Sequence, residues 1–121
     1  MATNQRVDRV AHQIQREMSA LFIEGLKDIR ISGNLLTVTN VEVTKDLSVA
    51  RIYVSVMGDE DAQNSVMRGL HSATGFIRSE IGRRIQLRHA PEIRFVLDHS
   101  LERGVEVLTL LNKIKGERTD A

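Results

Sequence analysis

The sequence contains no cysteine. That excludes a disulfide frame, thiolate catalysis and thiolate metal sites, and a disulfide-free chain of this size suits a reducing compartment. No apolar run approaches the roughly 18 residues that a membrane span requires. Residues 1–6 are polar and lack the apolar core and cleavage-like site of a secretion signal. These absences predict a cytoplasmic protein with no membrane partner. Aromatic residues are scarce at 3%, namely Phe22, Tyr53, Phe76 and Phe95. Stacking bases on a sheet face needs exposed aromatics in strands, and only Tyr53 and Phe95 are candidates, which argues against that mode. A large charge excess is also missing: 17 basic against 16 acidic side chains leave +1. Any case for nucleic acid must therefore rest on where the cations sit.

What is present suffices for one domain. The chain has 121 residues, 41% of them hydrophobic, enough for a single core. Val7, Val10, Ala11, Ile14, Met18, Leu21 and Phe22 recur at three- and four-residue steps, which predicts an amphipathic helix over about 7–23 with Gly25 as its stop. After a loop holding Gly33 the period changes to two. Leu36-Thr37-Val38-Thr39 and Val41-Glu42-Val43 alternate but are out of phase across Asn40, which a β-bulge would reconcile. Lys45-Asp46-Leu47-Ser48 reads as a tight connection. Ala50, Ile52, Val54 and Val56 then point inward, with Arg51, Tyr53 and Ser55 on a wet face.

The acids at 59–61 suit a helix start. Val66, Leu70 and Ala73 form one stripe and Ile77, Ile81 and Ile85 a second, so two helices meet at Ala73-Thr74-Gly75 with almost no loop, as a kink. Pro91 opens a third strand with Ile93, Phe95 and Leu97 inward. Leu101, Val105, Leu108 and Leu111 suggest a short terminal helix, and 116–121 a loose charged tail. The expected order is α-β-β-α-kink-α-β, an α+β domain over 1–115 with the tail outside it. The helix pair joins the second and third strands, so those strands should be parallel, in a three-stranded mixed sheet with helices on one face.

Signals of catalysis are not found. His12, His71, His89 and His99 are not paired at metal-ligand spacing and read as surface residues. There is no phosphate loop of the P-loop or dinucleotide type and no nucleophile elbow. Asp59, Glu60 and Asp61 lack the alternation of a calcium loop and read as helix capping. The chain is expected to be no enzyme and to need no cofactor or metal. The arginines are more informative. Arg6, Arg9 and Arg16 gather on the polar side of the first helix. Arg78, Arg83, Arg84, Arg88 and Arg94 face only Glu80 and Glu92, a local excess of +3 in a chain of +1. Guanidinium forks suit phosphate oxygens. An ordinary solvated face with an ion pair such as Glu80 with Arg84 remains open. Lys113, Lys115 and Arg118 would add a weaker contact. Gly75 has two compatible readings: tight approach of two helices, and backbone N–H groups offered to a phosphate at a helix start.

Taken in order, these residues resemble a known family. The pieces are Arg6-Val7, Lys27-Asp28-Ile29-Arg30, the alternating runs at 36–39 and 41–43, and Asp46-Leu47 before Ala50-Arg51-Ile52-Tyr53-Val54. The strongest is Ala73-Thr74-Gly75-Phe76-Ile77-Arg78 running into Ile81-Gly82-Arg83-Arg84-Ile85, followed by Arg88-His89-Ala90-Pro91-Glu92-Ile93-Arg94-Phe95 and Asp98. Over about 6–111 the chain resembles the ribosome-binding factor A family, bacterial and plastid factors for small-subunit maturation. Ile29 departs from the proline often found there, which bears on loop rigidity only. The resemblance implies a type II KH-like fold with an Ala-x-Gly kink, here Ala73, Thr74 and Gly75, in place of the GxxG loop by which ordinary KH domains clamp single strands. It also implies binding of the free small (30S) subunit and its 16S rRNA and help with late processing, notably in the cold. The expected state is a monomer. Arg78, Arg83, Arg84 and Arg88 are the first candidates for RNA contact, then Arg6, Arg9 and Arg16. A stand-alone single-stranded RNA-binding KH module and a protein-interaction module are the alternatives.

Overall fold

The computed structural model of the chain describes residues 4–24 and 36–100. The elements are α1 (Asn4–Glu24), β1 (Leu36–Val43), β2 (Val49–Val56), α2 (Glu60–Ser72), α3 (Thr74–Ile85) and β3 (Glu92–Leu97). This is the order the periodicities imply. Helix α1 begins three residues before its first apolar position, because Asn4-Gln5-Arg6 extends it with a polar turn. The expected stop at Gly25, the loop at 27–30, the terminal helix over 101–111 and the tail at 116–121 lie outside the described residues.

The strands form one sheet in the order β1-β2-β3. β1 runs antiparallel to β2, and β2 parallel to β3, as a crossover through two helices requires. The phase change in β1 is resolved by a bulge. Val38 pairs with Val54 and Asn40 with Tyr53, so Thr39 is the extra residue. Val38 and Val41, three apart, are thereby both buried. The Thr39 hydroxyl donates to the Tyr53 carbonyl at 3.2 Å and to Asp98 Oδ2 at 2.6 Å, tying β1 to the end of β3 across the central strand.

All three helices bury their stripes on one sheet face. Val10, Ile14, Met18 and Leu21 of α1, Val66 and Leu70 of α2, and Ile77 and Ile81 of α3 join Ala50, Ile52, Val54, Ile93 and Phe95 in one cluster. Each large side chain fully withdrawn from water there contributes ~1.5–3 kcal/mol. Phe95 faces this core and packs against Phe22 with ring centroids 6.4 Å apart. The other face carries Thr37, Glu42, Arg51 and Arg94 in the open, and the Tyr53 hydroxyl donates to Glu42 at 3.0 Å. Ser55 departs from the expected wet face: on the central strand opposite Thr37, its small side chain is buried.

Helix α2 starts as its acids suggested. Asp59 is the N-cap and accepts from the Ala62 N–H at 2.8 Å, with Glu60 and Asp61 in the first turn. The junction with α3 is the single residue Ala73, at φ −90° and ψ 1°. Hydrogen bonding runs through it: its N–H donates to the Gly69 carbonyl and its own carbonyl accepts from Ile77. The Thr74 hydroxyl donates to the Leu70 carbonyl one turn back at 2.9 Å, a bond that bends helices. Gly75 follows in the first turn of α3. A Cβ there would meet nothing within 4 Å, so the expectation that this glycine permits tight helix approach does not hold. The close approach is at Gly82, where a Cβ would stand 3.0 Å from the Ala90 Cβ.

Candidate nucleic-acid interface

Two turns meet at one end of the domain. The β1–β2 turn is held by its own side chains. Asp46 Oδ1 accepts from the Thr44 hydroxyl at 2.8 Å, the Ser48 hydroxyl at 2.7 Å and the Ser48 N–H at 3.1 Å, which lets Leu47 take a left-handed conformation at φ 60°. Those bonds, the Ser48 hydroxyl foremost, hold the Asp46 carboxyl below the usual carboxylate range. The α3–β3 turn begins at Gln86, left-handed at φ 54° and ψ 37°, a helix ending more often served by glycine. The chain then doubles back so closely that Gly82 faces Ala90. Arg78 secures it, donating to the Ala90 carbonyl from Nη2 at 2.9 Å and Nε at 3.3 Å. The Glu92 N–H donates to the Ser48 carbonyl at 2.8 Å, joining the two turns.

Between them lies a hollow of about 390 Å³, into which Arg6 of α1, Arg78 of α3, and Arg88 and His89 of the α3–β3 turn converge over Leu47 and Ser48. Three guanidinium groups against the one carboxylate of Asp46 leave a formal excess of two positive charges among the arginines and acids that line it. Arg88 is exposed and has no ion-pair partner among the described residues. Such a concave cluster of guanidinium donors can accept a phosphate in bidentate fashion. The sequence placed Arg6, Arg78 and Arg88 among its candidates, but not the β1–β2 turn that forms the floor of the hollow.

The remaining candidates are placed differently. Arg84 has a side chain only 19% exposed and grips Glu24 with Nη2 at 2.7 Å and Nη1 at 3.2 Å. Glu17 at 3.7 Å and Glu80 at 3.5 Å complete a ring of three carboxylates around it. Its hydrogen bond to Glu24 is the main reason its already high pKa is raised further and that of Glu24 lowered. The neighbouring Arg83 is 72% exposed and bonds Glu80 at 2.6 Å, the main cause of a lowered Glu80 pKa. Glu80 thus pairs with both arginines, as the ion-pair reading of this face anticipated. Arg9 and Arg16 lie on the solvent side of α1 beside Gln5, Asp8, His12 and Gln13, with no ion-pair partner among the described residues.

Three helices on one face of a mixed β1-β2-β3 sheet, two of them joined at a one-residue kink, make this the α+β domain of KH-like type expected from the sequence. The family model described as ribosome-binding factor A matches residues 6–111. Ribosome-binding factor A of Trichormus variabilis is 53% identical over 119 residues, covering 98% of this chain and 90% of that protein. The Parasynechococcus marenigrum protein of the same name is 48% identical over 120 residues, covering 99% and 90%. The crystal structure of ribosome-binding factor A from Thermus thermophilus superposes with a TM-score of 0.63 at 28% identity, covering 75% of this chain and 94% of that one. Coordinates of the Thermus thermophilus factor fitted into a cryo-EM map of a complex with 30S give 0.54 at 25% identity, covering 72% and 93%. The chain belongs to the ribosome-binding factor A family.

Proposed function

We propose that the chain is a ribosome assembly factor that binds the free small (30S) subunit through its 16S rRNA and assists late processing and maturation of that RNA. The observation that carries this reading is the meeting of Arg6, Arg78 and Arg88, from three separate segments, in one hollow with a formal excess of two positive charges. The family, and the 30S complex of the Thermus thermophilus relative, supply the partner. Contacts of this kind fall on phosphates and read the shape of a folded RNA more than its sequence. Arg78 and Arg88 are the leading contacts. Arg6, Arg9 and Arg16 extend the surface along α1, and Arg83 offers an exposed contact on α3. Arg84, ringed by carboxylates, holds α1 and α3 in place. The protein acts in the cytoplasm as a monomer, with no cofactor, and its help matters most in the cold, where misfolded RNA escapes slowly.

Co-sedimentation with purified small subunits tests the assignment. Arg88→Glu should sharply weaken sedimentation with subunits at moderate salt, because it replaces a phosphate donor by a like charge and breaks no ion pair among the described residues. Sedimentation equal to that of the parent would overturn it.

A further inference from the structure

Phe76 breaks the pattern of α3. Ile77 and Ile81 are fully buried, while the Phe76 ring, out of phase with them, stands 54% exposed. Its surroundings keep it clear. Gly75 carries no side chain, and open space lies where a Cβ would be. Ser79, one turn after, is small and exposed. Arg83 follows on the same line, since steps of three and four residues return to one helix face. The other large exposed apolar side chains among the described residues are Ile23, Met57 and Val96, none of them on α3. Along α3 the ring therefore stands as the one large exposed apolar side chain, with a small polar group and a cation on the same helix line.

We infer that Phe76 is a stacking platform for an unpaired base of the bound RNA. The inference rests on the RNA reading above and adds a contact of a different kind on the other side of the kink from α2. Aromatic faces accept any base, so the contact is sequence-tolerant. Arg83 lies seven residues on, about 10 Å along the helix. It is 72% exposed and holds Glu80 through Nη2, which leaves its other N–H groups for the backbone of the same strand. A strand laid along α3 can thus put a base on Phe76 and a phosphate beside Arg83.

Three variants separate stacking from other uses of the ring. Phe76→Tyr and Phe76→Trp keep a π face, whereas Phe76→Leu keeps an apolar side chain and a strong helix former without one. Affinity for purified small subunits should match the parent for tyrosine and tryptophan and fall about tenfold for leucine, the loss expected for one stacked base. The chain has no tryptophan of its own, so the Phe76→Trp fluorescence reports this position alone, and protein-free 16S rRNA should quench it. Leucine binding as tightly as phenylalanine would mean an apolar protein contact or none, and would overturn the inference. Bound rRNA that leaves the fluorescence unchanged would do the same. A parent that binds neither subunits nor rRNA would overturn the RNA reading itself. A parent that binds while all three variants behave alike would overturn the stacking role only.

Discussion

Arg84 and Glu24, sixty positions apart, meet in a bidentate clasp that fastens the end of α1 to α3. Two of the four arginines at the heart of the sequence cluster are occupied by the protein's own acids, Arg84 by three of them and Arg83 by Glu80. Arg88 is turned instead toward the hollow it shares with Arg6, and Arg78 lines the same hollow while its Nε and Nη2 hold the Ala90 carbonyl. Arg84 is a fastening and Arg88 an open binding group, and these two respond differently to mutation, while Arg78 and Arg83 each hold a partner and keep other N–H groups available.

Arg84→Met should lower the thermal midpoint, since it strands Glu17 and Glu24 without their partner, yet leave subunit affinity near that of the folded parent. The pH dependence follows from the direction of the shifts. Glu24 and Glu80 have folded pKa values below their ordinary 4.5. The unfolded chain therefore binds more protons in that window, so their stabilisation is complete above about 4.5 and is lost as pH falls through the folded values. Urea unfolding of the parent should show this loss from about pH 4.5 downward. In Arg84→Met the slope should flatten, as Glu24 loses the main cause of its shift. Equal slopes would mean the clasp is not formed in solution.

Arg88→Ala should act on binding alone. The side chain is exposed and has no ion-pair partner among the described residues, so the thermal midpoint should not move. Affinity for small subunits should fall, and the dependence of log K on log salt should become shallower by about one. An unchanged salt slope would mean that Arg88 touches no phosphate.

The two α3 glycines should respond in opposite senses. Gly75→Ala has room for its methyl group and replaces a poor helix former, so it should stabilise by ~0.5–1 kcal/mol. Gly82→Val would drive side-chain atoms into Ala90, whose Cβ already stands 3.0 Å from an added Cβ. It should destabilise by ~1–3 kcal/mol and displace the turn that carries Arg88. Chemical denaturation of both variants checks the pair.

Thr39→Val keeps the shape of the bulge residue and removes its hydroxyl. Asp98 Oδ2 then loses the 2.6 Å donor that joins β1 to the end of β3, a cost of ~1–2 kcal/mol. Equilibrium unfolding measures it, and stability equal to the parent would show that the bulge holds without this bond.

Much of the fold was legible because it rests on periodicity. The stripe Val10, Ile14, Met18, Leu21 and the alternation Ala50, Ile52, Val54 name the buried faces directly, and the phase slip near Asn40 locates the bulge within one residue. What periodicity does not encode is which segments from different parts of the chain meet. Arg83 and Arg84 are adjacent to the cluster in sequence, but their fate is decided by Glu24 on another helix. The hollow needs the Asp46-Leu47-Ser48 turn, whose shape comes from its own hydrogen bonds. Phe76 carried a usable signal: it is out of phase with Ile77, Ile81 and Ile85, so a helical wheel places it outside. The close approach expected at Gly75 falls instead at Gly82, because it depends on where Ala90 returns to α3, which periodicity does not encode.

A photoreactive side chain at position 89, beside Arg88 in the lining of the hollow and with the rest of the chain unchanged, tests most directly whether the hollow meets ribosomal RNA. Incubated with purified small subunits and irradiated, it should join 16S rRNA at a confined set of nucleotides, and the product should be lost when Arg88→Glu is added. Crosslinks to ribosomal proteins alone, or to rRNA without positional preference, would contradict it.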